Sequence, residues 1–257
     1  MSLTPGVITV LDTPCTVTSL EGFIAQAQGL ARKEGGPTAV DFTNVHIVAQ
    51  RRVDPEFRRI TDTMDFFVPD SQVLVWAVRL LGGKGASRAY GPTFLRECVR
   101  ATPAPFTHYF LGGSPECVEK LQLALKALQP ELKIAGAHHG YFGASEESHI
   151  VEEINALQPD FIWVGLGTPR QQDWIHRHRG AIRRGVLMAV GFAFDVNAGT
   201  KRDAPAWVGR IGLTWLYRML REPRRLFWRY AKYNTIFLWF LFGQWLRRVF
   251  TRPAVRD

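Results

Sequence analysis

The chain has 257 residues, 46% of them apolar, which is enough for a sizeable folded core and argues against wholesale disorder. Its formal charge of +9 is unevenly placed: residues 201–257 hold 13 Lys+Arg against 3 Asp+Glu, while the first 200 hold 19 against 20. The basic character therefore belongs to the tail, and a uniformly basic core is excluded. Cys15, Cys98 and Cys117 are odd in number and lack metal-ligand spacing, which fits a reducing compartment rather than a disulfide framework. The N-terminus shows no basic segment followed by an apolar one, so no signal peptide is expected. The apolar run Ile236 to Phe242 falls far short of the ~20 residues of a membrane span. A cytoplasmic protein, held at a membrane surface, is the expectation.

Val7 to Leu11 reads as a first strand, and Thr18 or Ser19 can cap a helix through Phe23, Ile24 and Leu30 that Gly35-Gly36-Pro37 stops. Ala39 to Val48 reads as a second strand. Asn44, near its end, either bonds its own loop backbone or meets a ligand at the carboxyl end of the sheet. Pro55 to Thr63 predicts a helix. Phe66-Phe67-Val68 then runs into Pro69-Asp70-Ser71, followed by an apolar helix over Val73 to Leu81. An Asp between a strand and a helix is commonly an N-cap, and an ionised Asp there can also take a proton from a hydroxyl.

Ser87 to Pro92 is a predicted turn, with Arg88 either a surface charge or an anion ligand, before a helix near Phe94 to Val99. His108 to Pro115 gives a strand, the glycine turn Gly112-Gly113 and a capped helix carrying Leu121, Leu125 and Leu128. A short strand over Leu132 to Ala135 leads to His138-His139-Gly140-Tyr141-Phe142. The histidines lack partners for a zinc pattern, and the two aromatics either stack on a base or pack in the core. A helix over Glu146 to Leu157 follows.

The most informative stretch is Phe161 to Trp174. Phe161 to Val164 is an apolar run suited to a strand covered on both faces. Gly165 and Gly167 permit a tight turn, and Thr168-Pro169 reads as an N-cap and first helical residue. Strand, glycine turn and helix N-terminus together make a place where amide groups meet an anion, or an ordinary turn between strand and helix. Gly185 to Val190 is a last buried strand, with Asp195 beyond it. Alternating strands and helices imply an α/β fold, a mostly parallel Rossmann-like sheet with helices on both faces. No Gly-x-Gly-x-x-Gly with its partner acid is present, against a nicotinamide dehydrogenase.

From Trp207 to Arg252 the chain interleaves Trp215, Trp228, Trp239 and Trp245 with Arg218, Arg221, Arg224, Arg225, Arg229, Arg247 and Arg248. Such a composition suits a membrane interface, and its apolar load favours lipid over nucleic acid as the partner. The expected division is a core over 1–205 and a basic, aromatic helical appendage over 206–257.

Several of these pieces occur in an order that resembles one family. They are Pro69-Asp70, Arg88-Ala89-Tyr90-Gly91, Phe110-Leu111-Gly112-Gly113, Gly140-Tyr141-Phe142 and Val164-Gly165-Leu166-Gly167-Thr168-Pro169-Arg170-Gln171. Phe194-Asp195, Ala198-Gly199, Ala204-Pro205-Ala206-Trp207, Trp215-Leu216-Tyr217-Arg218 and Glu222-Pro223-Arg224-Arg225 continue the series. The chain is similar to the WecG/TagA/CpsF-type glycosyltransferases, glycosyltransferase family 26, from about Val7 to about Tyr230.

The resemblance implies an inverting transferase without cofactor or metal. It would move N-acetylmannosamine, its uronic acid or glucose from a UDP-sugar to a polyprenyl-pyrophosphate-linked saccharide, in surface polysaccharide assembly. The absence of an Asp-x-Asp motif agrees with the metal expectation. Carried over by position, Asp70 is the base, and Asn44, Arg88 and Gln171 line the sugar and phosphate pocket. Tyr141 and Asp195 hold the uracil nucleotide. The turns at Gly112-Gly113 and Gly165–Gly167 offset phosphate charge, and Arg218, Arg221 and Arg224 face the lipid pyrophosphate. The sequence departs from the family at Phe42, Ser71, Gln172, Asp203 and Thr214, of which Phe42, Asp203 and Thr214 bear on donor and acceptor choice. The alternative is a non-catalytic nucleotide- and membrane-surface-binding protein on the same fold.

Overall fold

A computed structural model describes residues 6–250, so the outermost ends of the expected core and tail, including Arg252, lie outside the described residues. One eight-stranded sheet organises the chain. Its strands are β1 (Gly6–Val10), β2 (Thr13–Val17), β3 (Thr38–Thr43), β4 (Phe66–Pro69), β5 (Thr107–Gly112), β6 (Lys133–His138), β7 (Phe161–Gly165) and β8 (Val186–Ala189). Their spatial order is β1-β2-β4-β3-β8-β7-β5-β6, and every pairing is parallel except the β1–β2 hairpin at one edge. The predicted α/β class is therefore observed.

The helices between strands are α1 (Leu20–Ala31), α2 (Val45–Val53), α3 (Pro55–Thr61), α4 (Gln72–Leu80), α5 (Gly91–Ala101), α6 (Pro115–Leu128), α7 (Ala144–Leu157), α8 (Arg170–His178) and α9 (Ala193–Asn197). Strand alternation decides what each face buries. Phe110 and Trp163 point to one side, packing with Phe23, Phe94 and Leu121. Tyr109, Leu111, Ile162 and Val164 point to the other, packing with Ile150, Ile154 and Trp174.

Three local expectations are corrected. The strand expected over Ala39 to Val48 stops at Thr43, because Asn44 adopts extended backbone and its side chain accepts from the amides of His46 and Ile47, starting α2. Ser71, not Asp70, caps α4, by accepting from Leu74 N. Thr168 does not cap α8: Pro169 occupies the cap position without a side-chain cap, and Thr168 Oγ1 instead accepts from Gln172 Nε2. The hairpin strand β2 was not anticipated at all.

The tail forms α10 (Ala206–Arg210), α11 (Thr214–Arg221) and the 28-residue α12 (Pro223–Phe250). No helix among the described residues is long and apolar enough to cross a membrane. α12 lies against the core, burying Phe237 completely in a third cluster with Val48, Ala49, Leu74 and Val78 of α2 and α4. Near its far end, Gln244 accepts from Leu11 N at 3.1 Å and donates to Thr9 O at 2.8 Å. Arg248 donates to Leu81 O just beyond α4.

Candidate functional site

The parallel strands β3, β4, β7 and β8 end on one side, where open α/β sheets place their ligands. A cavity of about 640 Å3 opens there, roofed by α11 and α12. It is thus walled by the sheet on one side and the tail on the other.

Asp70 follows β4 and lines this cavity. Its Oδ1 accepts from the amide of Gly91, the first residue of α5, at 2.6 Å. The carboxylate therefore sits at a helix N-terminus that is not its own, which stabilises the anion. Arg88 Nε donates to the Asp70 main-chain oxygen at 2.8 Å, and its guanidinium lies 4.0 Å from the centre of the Tyr90 ring. The surface reading of Arg88 does not hold, since it is half-buried and also reaches Thr214 Oγ1. Burial is the main cause that raises the Asp70 pKa above its ordinary value, and nearby Asp203 adds to it. Arg88, the Gly91 amide and Arg218 oppose the rise. The result is a carboxylate more basic than usual, held facing a cavity, the condition for accepting a proton from a hydroxyl near neutral pH.

The glycine turn after β7 is built more tightly than its sequence implied. Gly112 pairs with Gly165 across β5 and β7, and a Cβ on Gly112 would come within 2.4 Å of the Gly165 backbone. Gly112 and Gly113 do not line the cavity, whereas Gly165 and Gly167 do. Gly167 takes a φ of 78°, and its amide is engaged by Gln171 Oε1 at 3.2 Å, so this amide is not free to meet an anion. Gln171 keeps a side-chain amide at the wall, and Asn44 lines the cavity as well. Behind them, fully buried Asp41 accepts from Gln172 Nε2 at 2.7 Å. Burial pushes its pKa up to about 6, against the opposing hydrogen bonds from Thr43 and Gln172.

Tyr141 stands exposed at the rim, and Asp195, on α9, lines the cavity beside Lys201, which approaches it at 3.8 Å. Of the tail arginines, Arg218 lines the cavity with its guanidinium 4.0 Å from the centre of the Phe192 ring. Arg221 and Arg224 are exposed and do not line it. Arg225 and Arg229 of α12 do, although only their interfacial composition had been noted. Burial, then the charges of Arg218 and Arg225, lowers the pKa of Arg229 despite the opposing influence of Tyr230. The Nε atoms of Arg218 and Arg229 are buried without a hydrogen-bond partner among the described residues. Such a group of crowded guanidiniums is suited to a polyanion.

The cavity also takes in residues that sequence reasoning did not single out, Tyr90, His46 and Lys201 among them. His46 packs edge-on to Tyr233 at 4.5 Å between ring centres. Burial, helped by Arg229, lowers its pKa to about 3, leaving a neutral ring at the wall.

The model of the "Glycosyl transferase WecG/TagA/CpsF family" matches residues 8–250. Among curated proteins, the chain is 31% identical over 184 residues to an N-acetylglucosaminyldiphosphoundecaprenol N-acetyl-beta-D-mannosaminyltransferase of Staphylococcus aureus strain MW2. That match covers 71% of this chain and 72% of the relative. The same-named protein of strain MRSA252 is 30% identical over equal shares. The match takes in both the sheet-end wall and the helices that roof the cavity, and the chain belongs to the WecG/TagA/CpsF family of glycosyltransferases.

Proposed function

We propose that the chain transfers a sugar from a UDP-sugar to a saccharide carried on a polyprenyl pyrophosphate, with inversion. The observation that carries this reading is the single cavity that joins Asp70 to Arg88 and Gln171 on one wall and to Arg218, Arg225 and Arg229 on the other. Asp70 removes the acceptor hydroxyl proton as that oxygen attacks the anomeric carbon from the face opposite UDP. The bond from that carbon to the UDP oxygen breaks, and its electron pair leaves with the β-phosphate. Arg88 and Lys201 offset the charge that develops there, so the step runs without a divalent ion. Asn44 and Gln171 orient the sugar, and Tyr141 and Asp195 hold the uracil nucleotide.

Arg218, Arg225 and Arg229 take the acceptor's pyrophosphate, while Arg221 and Arg224 face lipid headgroups. The names of the Staphylococcus relatives support N-acetylmannosamine as the donor sugar and N-acetylglucosamine on undecaprenyl diphosphate as the acceptor. Residues 1–205 then serve as the catalytic core and 206–257 as the part that meets the membrane. Trp228 and Trp239, 77% and 75% exposed on α12, support that assignment.

The test is UDP release by the purified chain with a panel of UDP-sugars and a lipid-pyrophosphoryl N-acetylglucosamine acceptor, in chelator. Acceptor-dependent release is expected, greatest with UDP-N-acetylmannosamine. Asp70→Asn is expected to lose about 10²–10⁴-fold in kcat with UDP affinity kept. Near-normal turnover in Asp70→Asn removes Asp70 from the role, and retained UDP binding with no transfer from any donor favours the non-catalytic binder.

A further inference from the structure

The segment from Gly199 to Pro205 joins α9 to α10 and runs past the cavity. Its two ends of contact are Lys201, placed between Asp195 and Glu222 at 3.8 and 3.7 Å, and Asp203. Asp203 Oδ1 accepts from the Tyr90 hydroxyl at 2.6 Å and from Ala204 N at 2.7 Å. We propose that Asp203 is a positioning residue for Asp70, acting through Tyr90. The proposal rests on the reading of Asp70 as the base.

Tyr90 lies at the junction of both clamps on Asp70. The residue after it, Gly91, donates its amide to the Asp70 carboxylate, and its own ring carries the guanidinium that holds the Asp70 main-chain oxygen. Fixing the Tyr90 hydroxyl therefore fixes the start of α5 and the seat of Arg88 together. The phenol is a dependable donor, because burial, then the Asp203 charge and hydrogen bond, raises its pKa above the ordinary tyrosine value. It holds Asp203 without relaying protons.

Asp203 also acts on Asp70 by charge. The groups around Asp70 are the cations Arg88 and Arg218, the Gly91 amide, the Tyr90 phenol and the anions Asp203 and buried Asp41. The anion Asp203 disfavours ionisation of Asp70 while the two arginines favour it. Asp203 thus makes the base stronger, and it does so from the segment that leads into the roofing helices. A shift of that segment changes both the orientation of Asp70 and its proton affinity.

The test compares the wild type with Asp203→Asn, Asp203→Ala and Tyr90→Phe in the full chain. Asp203→Asn keeps an acceptor for the phenol and removes the charge. Carbon NMR of the aspartate carboxyls, with Asp70 assigned by its loss in Asp70→Asn, follows titration without needing turnover. The Asp70 signal is expected to titrate at lower pH in Asp203→Asn than in the wild type. In transfer assays the acid limb of kcat/KM moves to lower pH in the same variant. Tyr90→Phe and Asp203→Ala are expected to lower kcat about tenfold with the UDP Kd unchanged. An unmoved Asp70 titration in Asp203→Asn, together with wild-type kcat in Tyr90→Phe, overturns the proposal. Absence of transfer by the wild type strikes only the proposed function, since the titration still decides whether Asp203 acts on Asp70.

Discussion

The two walls of the cavity handle polarity in opposite ways. On the sheet side the polar groups are occupied by the frame: Asn44 accepts from His46 and Ile47, Gln171 from Gly167, and Asp70 from Gly91. On the tail side the guanidiniums of Arg218 and Arg225 both bear on that of Arg229. Arg225 is paired with Glu222 at 2.5 Å, whereas the Nε atoms of Arg218 and Arg229 are buried without a hydrogen-bond partner among the described residues. The sheet wall is preorganised and needs no ligand to hold its shape. The tail wall carries more positive than negative charge, so binding of an anionic ligand should stabilise it more than it stabilises the sheet wall.

The strongest way to break this contrast is to undock the tail. Phe237→Ala empties a fully buried ring site between α12 and α2, and a loss of about 3–5 kcal/mol is expected in denaturant unfolding. A negligible loss would show that the tail wall is only loosely attached. Arg229→Ala sharpens the contrast further. It should raise the KM for the lipid-pyrophosphate acceptor roughly 10- to 100-fold while leaving unfolding stability unchanged or improved, because it removes a crowded charge. Exposed Arg224→Ala serves as the control and should change that KM by less than about twofold. Equal effects of the two substitutions would place the anion on the outer face of α12 instead.

The smallest expected effect lies behind the sheet wall, at Asp41. Its folded pKa of about 6 stands above the ordinary 3.8, so the fold favours the protonated form. That contribution is full below the ordinary value and is lost as pH rises through about 6. The difference in Tm between wild type and Asp41→Asn should therefore move against the wild type from pH 4 to about 6.5 and then level off. Parallel Tm curves would mean that Asp41 does not titrate in this range.

Much of the sheet side was legible in the sequence. The unbroken apolar run of β7, the Tyr109 to Leu111 run of β5, and the glycines after them mark buried strands and close turns. The boundary at Asn44 was not legible, because the apolar residues of α2 continue the pattern of β3 straight through the cap. β2 was missed because it is five residues long and contains Pro14, tolerated here in an antiparallel hairpin. The tail wall was hidden for a different reason. Arg225 and Arg229 stand four residues apart on α12, beside the buried stripe Leu226, Tyr230 and Phe237. That helical spacing was the available signal, but composition alone could not tell the inward arginines from the outward ones. Asp203 and Tyr90 lie 113 residues apart, and only folding reveals them as a pair.

The Gln244 side chain, bonded to Thr9 and Leu11, joins the last described helix to the first strand. During synthesis the strands emerge in order, and domains begin folding from the N-terminal side. The sheet wall, with Asp70 in it, can thus assemble while α12 is still within the ribosome. The arginines of α12 join last, so the two walls of the cavity are completed at different times during synthesis, and the cavity closes only once α12 has docked against α2, α4 and the first strand.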